Sequence, residues 1–93
     1  MVGVAGDVDI ASVGTLQEAV DAVLHASERD IWIDLSATTF LATCGLHVLL
    51  GAARRLEHDH RRLAVLVPPG PALRVLQLTG ADRALPLVSA RPV

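Results

Sequence analysis

The run Ile31-Trp32-Ile33-Asp34-Leu35 does most to fix what this chain can become. It is rich in β-formers and apolar at nearly every position, the pattern of a central strand covered on both faces. Such a strand needs helices packed over it, and amphipathic segments lie on either side. Upstream, Leu16, Ala19, Val20, Val23 and Leu24 recur at the spacing of one helical face, with Gln17, Glu18 and Asp21 opposite. Thr15 and Glu18 stand in the capping-box relation, which predicts a helix starting near Thr15. Downstream, Leu46, Leu49, Leu50, Ala53 and Leu56 repeat at helical spacing toward His58.

The remaining segments continue the alternation. Leu63 to Val67 reads as a strand that Pro68-Pro69-Gly70 ends, because proline cannot donate to an interior ladder. Pro71 suits the first turn of a third helix, with Ala72, Leu73, Val75 and Leu76 as its buried face and Gly80 closing it in a left-handed turn. Met1 to Ala5 predicts a strand running into a polar loop at Gly6-Asp7-Val8-Asp9. Ser36 to Thr39 reads as a loop, and Leu87-Val88 as a short last strand. Three rounds of strand and helix define an α/β class: a small, mostly parallel sheet with helices packed on it, in a single domain over residues 1–93.

Charge and composition narrow the function. The formal charge is −2 and the only aromatic residues are Trp32 and Phe40, so neither a phosphate-binding electrostatic surface nor a base-stacking platform is expected, and nucleic acid is excluded as a partner. No apolar stretch approaches the roughly 20 residues of a membrane span. Cys44 is the single cysteine, and the N-terminus lacks the cationic and apolar segments of a signal peptide, so a cytoplasmic protein is expected.

Chemistry concentrates at the start of the second helix. Thr43 has two readings: a helix-capping hydroxyl, or a phosphoacceptor whose phosphate the helix start would stabilise. Cys44 in the same turn is a packing residue or a redox-sensing thiol. Asp7 and Asp9 follow the first strand, which in a parallel sheet opens at the same edge, so they are expected to flank Thr43. They would meet a partner's arginine or a magnesium ion there, or satisfy local amides. His58-Asp59-His60 lacks further ligands to complete a metal shell, and Arg54-Arg55 and Arg61-Arg62 are interleaved with Glu57 and Asp59 as a mixed-charge surface. No nucleophile, base and oxyanion donor assemble, and no glycine fingerprint cradles a phosphate, so neither an enzyme nor a cofactor is expected.

Three separated pieces, in order, resemble the STAS family of bacterial anti-sigma factor antagonists over Val2 to about Val88. They are Gly6-Asp7-Val8-Asp9, Ile33-Asp34-Leu35-Ser36 followed by Phe40-Leu41-Ala42-Thr43-Cys44-Gly45-Leu46, and Leu78-Thr79-Gly80. The resemblance implies a non-enzymatic protein that binds an anti-sigma factor kinase and is switched off by phosphorylation of Thr43. It implies a partner-facing surface running over Asp7, Asp9, Ala42, Cys44, Gly45, His47, Arg54 and Arg55. Ala42 stands where the family usually carries Asp, and Cys44 where it carries Ser. The alternatives are a STAS adaptor that is never phosphorylated, serving a transporter or a stress-signalling complex, and a redox sensor built on Cys44. Against the family pattern the chain starts at the second strand and ends before the last helix, which implies a homodimer or a stable partner to cover what is left open.

Overall fold

The computed structural model describes residues 2–26 and 29–88. Four strands, β1 (Val2–Val8), β2 (Ile31–Leu41), β3 (Leu63–Leu66) and β4 (Leu87–Val88), alternate with three helices, α1 (Val13–Ala26), α2 (Thr43–His58) and α3 (Pro71–Thr79). The sheet order is β1-β2-β3-β4 and every pair is parallel. With right-handed crossovers, a sheet whose order follows the chain carries all its helices on one face. Burial agrees: Ile31, Ile33 and Leu35 of β2 are almost fully enclosed, while Trp32 and Asp34 between them are only half-buried. The expected cover on both faces of β2 is therefore replaced by one deep core and one shallow face.

That core joins Ile33 and Leu35 of β2, Val65 of β3, Val20 of α1, Leu49 and Leu56 of α2 and Leu76 of α3 in a single cluster. Leu66 is buried too but lies outside the cluster. It pairs in register with Asp34, whose position alternates with the core-facing residues, and so belongs to the other face.

Both expected loops beside the first two strands are strand instead. β1 runs through to Val8, and Ser36 to Thr39 continue β2 alongside it. From Val2 paired with Ile33 to Val8 paired with Leu41, β1 advances six residues and β2 eight, with register shifts after Gly3 and after Gly6. Each shift places an extra residue in β2, a β-bulge, which breaks the strict alternation that strand recognition relies on. Side chains settle the bulges: the Asp34 carboxylate accepts the Ser36 amide at 2.8 Å, and the Thr38 hydroxyl donates to the Val4 carbonyl at 3.1 Å.

Helix ends follow the sequence in part. Gly70 precedes α3 with Pro71 in its first turn, and Gly80 ends it at φ 78, the left-handed conformation that favours glycine. Helix α1 starts at Val13, so Thr15 lies inside its first turn and the capping box with Glu18 is replaced. The Ser12 carbonyl accepts the first helical bonds, from Thr15 at 3.1 Å and Leu16 at 3.3 Å.

Candidate functional site

The site is built at the carboxyl edge of β1 and β2, where open parallel sheets present their ligand-binding residues. Val8 and Leu41 end the two strands in register, and the Ala42 amide donates to the Val8 carbonyl at 2.8 Å. This bond ties the end of β1 to the entry of α2. It brings the Asp7 to Asp9 segment and Thr43 to one edge, as the parallel topology predicts.

Gly45 sets how closely the helix sits. A Cβ there would lie 2.5 Å from Cγ1 of Val8 and 2.9 Å from Cδ1 of Leu41. Val8 is β-branched and buried, so it has no free rotation with which to yield. Gly45 is itself buried. The structure thus gives it a packing role, holding the first turn of α2 flush on the strand ends.

The N-cap of α2 is Ala42, with extended backbone (φ −78, ψ 162) and no side-chain cap hydrogen bond, and the first turn holds no acidic residue. Thr43 is thus the first helical residue and does not cap the helix, which overturns the capping reading. Its hydroxyl-bearing side chain is exposed. Cys44 and Ala42 are half-buried beside it, and His47, one turn on, is exposed.

The two acidic residues play different parts. Asp7 lies within β1, opposite Phe40, and its carboxylate accepts the Thr39 hydroxyl at 2.6 Å, so one of the β2 bulges is pinned to it. Asp9 organises the turn into α1. One carboxylate oxygen accepts the amides of Ala11 at 3.0 Å and Ser12 at 3.2 Å, the Asp9 carbonyl accepts the Val13 amide at 2.8 Å, and the Asp9 amide donates to the Ser12 hydroxyl at 3.0 Å. The Ser12 hydroxyl in turn donates to the Asp7 carbonyl at 2.9 Å.

Arg54 and Arg55 are not brought to this site. They follow Thr43 by three turns of α2, about 16 to 18 Å along the helix axis. The Arg55 guanidinium faces the His25 ring of α1, 3.4 Å from its Nε2. His58 to His60 form the exposed turn that ends α2, and no group of three or more metal-ligating side chains occurs among the described residues.

Two site residues were not singled out by sequence reasoning. Ile10, at the Asp9 to Ser12 turn, is 86% exposed, and Phe40, near the end of β2, is 49% exposed. Ile10 had a visible signal, a large aliphatic residue in a polar turn. Phe40 had no such signal, because its exposure depends on the bulge beside it.

The frame is thus a parallel sheet whose carboxyl edge carries a helix entry with an exposed threonine and, on the neighbouring strand and turn, two aspartates. The family model described as "Mlab, STAS domain" matches residues 1–89, and the chain belongs to the STAS domain family. Among solved structures it resembles an anti-sigma factor antagonist from Mycobacterium paratuberculosis, with a TM-score of 0.85 and 31% identity, covering 95% of this chain and 74% of that one. The fold also matches the anti-sigma factor antagonist SpoIIAA in its unphosphorylated form, with a TM-score of 0.70 at 21% identity, covering 96% and 77% of the two chains. Among curated proteins it is 26% identical over 89 residues to the anti-sigma-F factor antagonist RsfB of Mycobacterium tuberculosis, covering 96% of this chain and 72% of RsfB. It is 25% identical over 79 residues to the anti-sigma-B factor antagonist of Staphylococcus aureus, covering 85% and 73%.

Proposed function

We propose that this protein is a cytoplasmic, non-enzymatic anti-sigma factor antagonist that binds an anti-sigma factor kinase and is released when Thr43 is phosphorylated. The observation that carries the reading is the exposed Thr43 at the first position of α2, held beside Asp7 and Asp9 by the bond between Ala42 and Val8. The names of the related proteins support the antagonist role, and one relative's structure is of an unphosphorylated form. A phosphate on Thr43 adds a near-dianionic group to an edge that already carries two carboxylates. Free amides of the first helical turn stabilise that phosphate on the protein, while its strong hydration opposes docking of a surface that must shed water to make the contact.

The test is affinity for candidate anti-sigma kinases, by calorimetry, before and after incubation with ATP. The parent is expected to bind, then to lose binding as phosphate is added, while Thr43→Ala stays bound throughout. Parent and variant responding alike to kinase and ATP would overturn the switch.

A second reading is favoured by Ala42. An N-cap with no side-chain acceptor, in a chain matched by the Mlab STAS model, suits an adaptor that docks without a phosphorylation cycle. Stable complex formation with no phosphate ever added would select it. In either case the edge position of β1 among the described strands supports self-association.

A further inference from the structure

The large exposed hydrophobic side chains of the described residues are few: Ile10 at 86%, Phe40 at 49% and Leu78 at 77%. Two of the three lie at the carboxyl edge of β1 and β2, within three residues of the strand ends. Phe40 is paired with Asp7 on β1, and Ile10 follows Val8 by two residues, so both flank the bond from Ala42 to the Val8 carbonyl that leads into Thr43.

The turn that carries Ile10 is tightly bonded. Asp9 receives the amides of Ala11 and Ser12 on one carboxylate oxygen, and Ser12 receives the Asp9 amide and donates to the Asp7 carbonyl. Every one of these bonds lies within the segment from Asp7 to Ser12, and the residue left projecting is Ile10. A large aliphatic group displayed on an ordered turn, with an aromatic ring at the adjoining strand end, is the combination of rigid apolar anchors that dominates protein interfaces.

We infer that Ile10 and Phe40 are the apolar anchors with which this protein docks on its anti-sigma partner, and that Asp9 holds the turn presenting Ile10 rather than touching the partner. The inference rests on the function proposed above and names the contact made at that site. The partner's chemistry follows from the charges present: across residues 2–12 and 36–44 the ionisable side chains besides Cys44 are Asp7 and Asp9, both acidic. The complementary surface is an apolar pocket rimmed by arginine or lysine. Phosphate on Thr43 then acts by bringing a strongly hydrated charge to the margin of a contact that must shed its water.

The experiment measures affinity of single variants for whichever anti-sigma protein binds the parent, with thermal unfolding as the control for folding. Ile10→Ser and Phe40→Ser are expected to weaken binding by about thirtyfold or more. Leu78→Ser serves as the comparison. It removes an exposed apolar residue of intermediate accessibility between the two, near the end of α3, which returns toward the opposite edge of the sheet, and is expected to bind like the parent. Asp9→Asn keeps a carboxamide oxygen for the Ala11 and Ser12 amides and is expected to lose only about two- to fivefold through the missing charge, whereas Asp9→Ala, which loses that oxygen as well, is weakened about as much as Ile10→Ser. If Ile10→Ser binds as tightly as the parent, or Asp9→Asn fails as badly as Asp9→Ala, the inference is overturned while the antagonist reading stands. If no anti-sigma protein binds the parent, both are overturned.

Discussion

Gly45 shows how one residue's lack of a side chain reaches into both fold and function. With Val8 unable to rotate away and Leu41 equally enclosed, an added methyl group must lift the first turn of α2 off the strand ends. Gly45→Ala is therefore expected to lower stability by about 1 to 3 kcal/mol, despite the better helix propensity of alanine, as read by urea denaturation. An unchanged or raised midpoint would mean that the helix start can shift freely, and the fixed placing of Thr43 would lose its basis. Asp9 makes the complementary case. Its part in the edge beside Thr43 was legible from a loop aspartate after a parallel strand, but the engagement of its carboxylate with Ala11 and Ser12 was not, since spacing alone does not distinguish a turn-forming carboxylate from a partner-binding one.

At the level of elements, α2 is the informative one. It starts without a side-chain cap and without an acidic residue in its first turn, leaving the amide dipoles there uncompensated. Ala42→Asp supplies both at once and is expected to raise stability by about 1 kcal/mol near neutral pH, measured as a shift in thermal midpoint. The gain requires the ionised carboxylate, so it should shrink as pH falls through the carboxylate range. A lower midpoint at neutral pH would contradict the cap assignment. The helices were legible because their apolar residues recur at 3.6-residue spacing, and α3 was bounded correctly by Pro71 and Gly80. The extent of β1 and β2 was not. Two bulges shift the alternation, and Thr38, a polar residue buried in β2, satisfies itself on the Val4 carbonyl across the strand pair, a bond that no local pattern announces. The first turn of α1 was missed for a related reason, because Ser12 and Asp9 bond to one another and displace the capping box expected at Thr15.

At the scale of the whole sheet, the described strands leave two unlike edges. β4 is two residues long and follows Pro86, which blunts it, whereas β1 offers a seven-residue edge whose outward-facing positions include Gly3 and Ala5 and whose one charge is Asp7. Self-association through β1 is expected to appear in sedimentation velocity at concentrations on the order of tens of micromolar, and Ala5→Lys to abolish it; a monomer at all such concentrations would contradict it. The larger claim concerns what happens at the other end of the same strand, at the edge that carries Ile10, Phe40 and Thr43. Intact-mass measurement after incubation with ATP and an anti-sigma kinase that binds the protein tests it most directly, with Thr43→Ala in parallel. The account predicts the gain of one phosphate by the parent, none by the variant, and loss of the complex as the phosphate appears. A stable complex that never yields a phosphorylated protein, or a phosphate that Thr43→Ala still acquires, would contradict it.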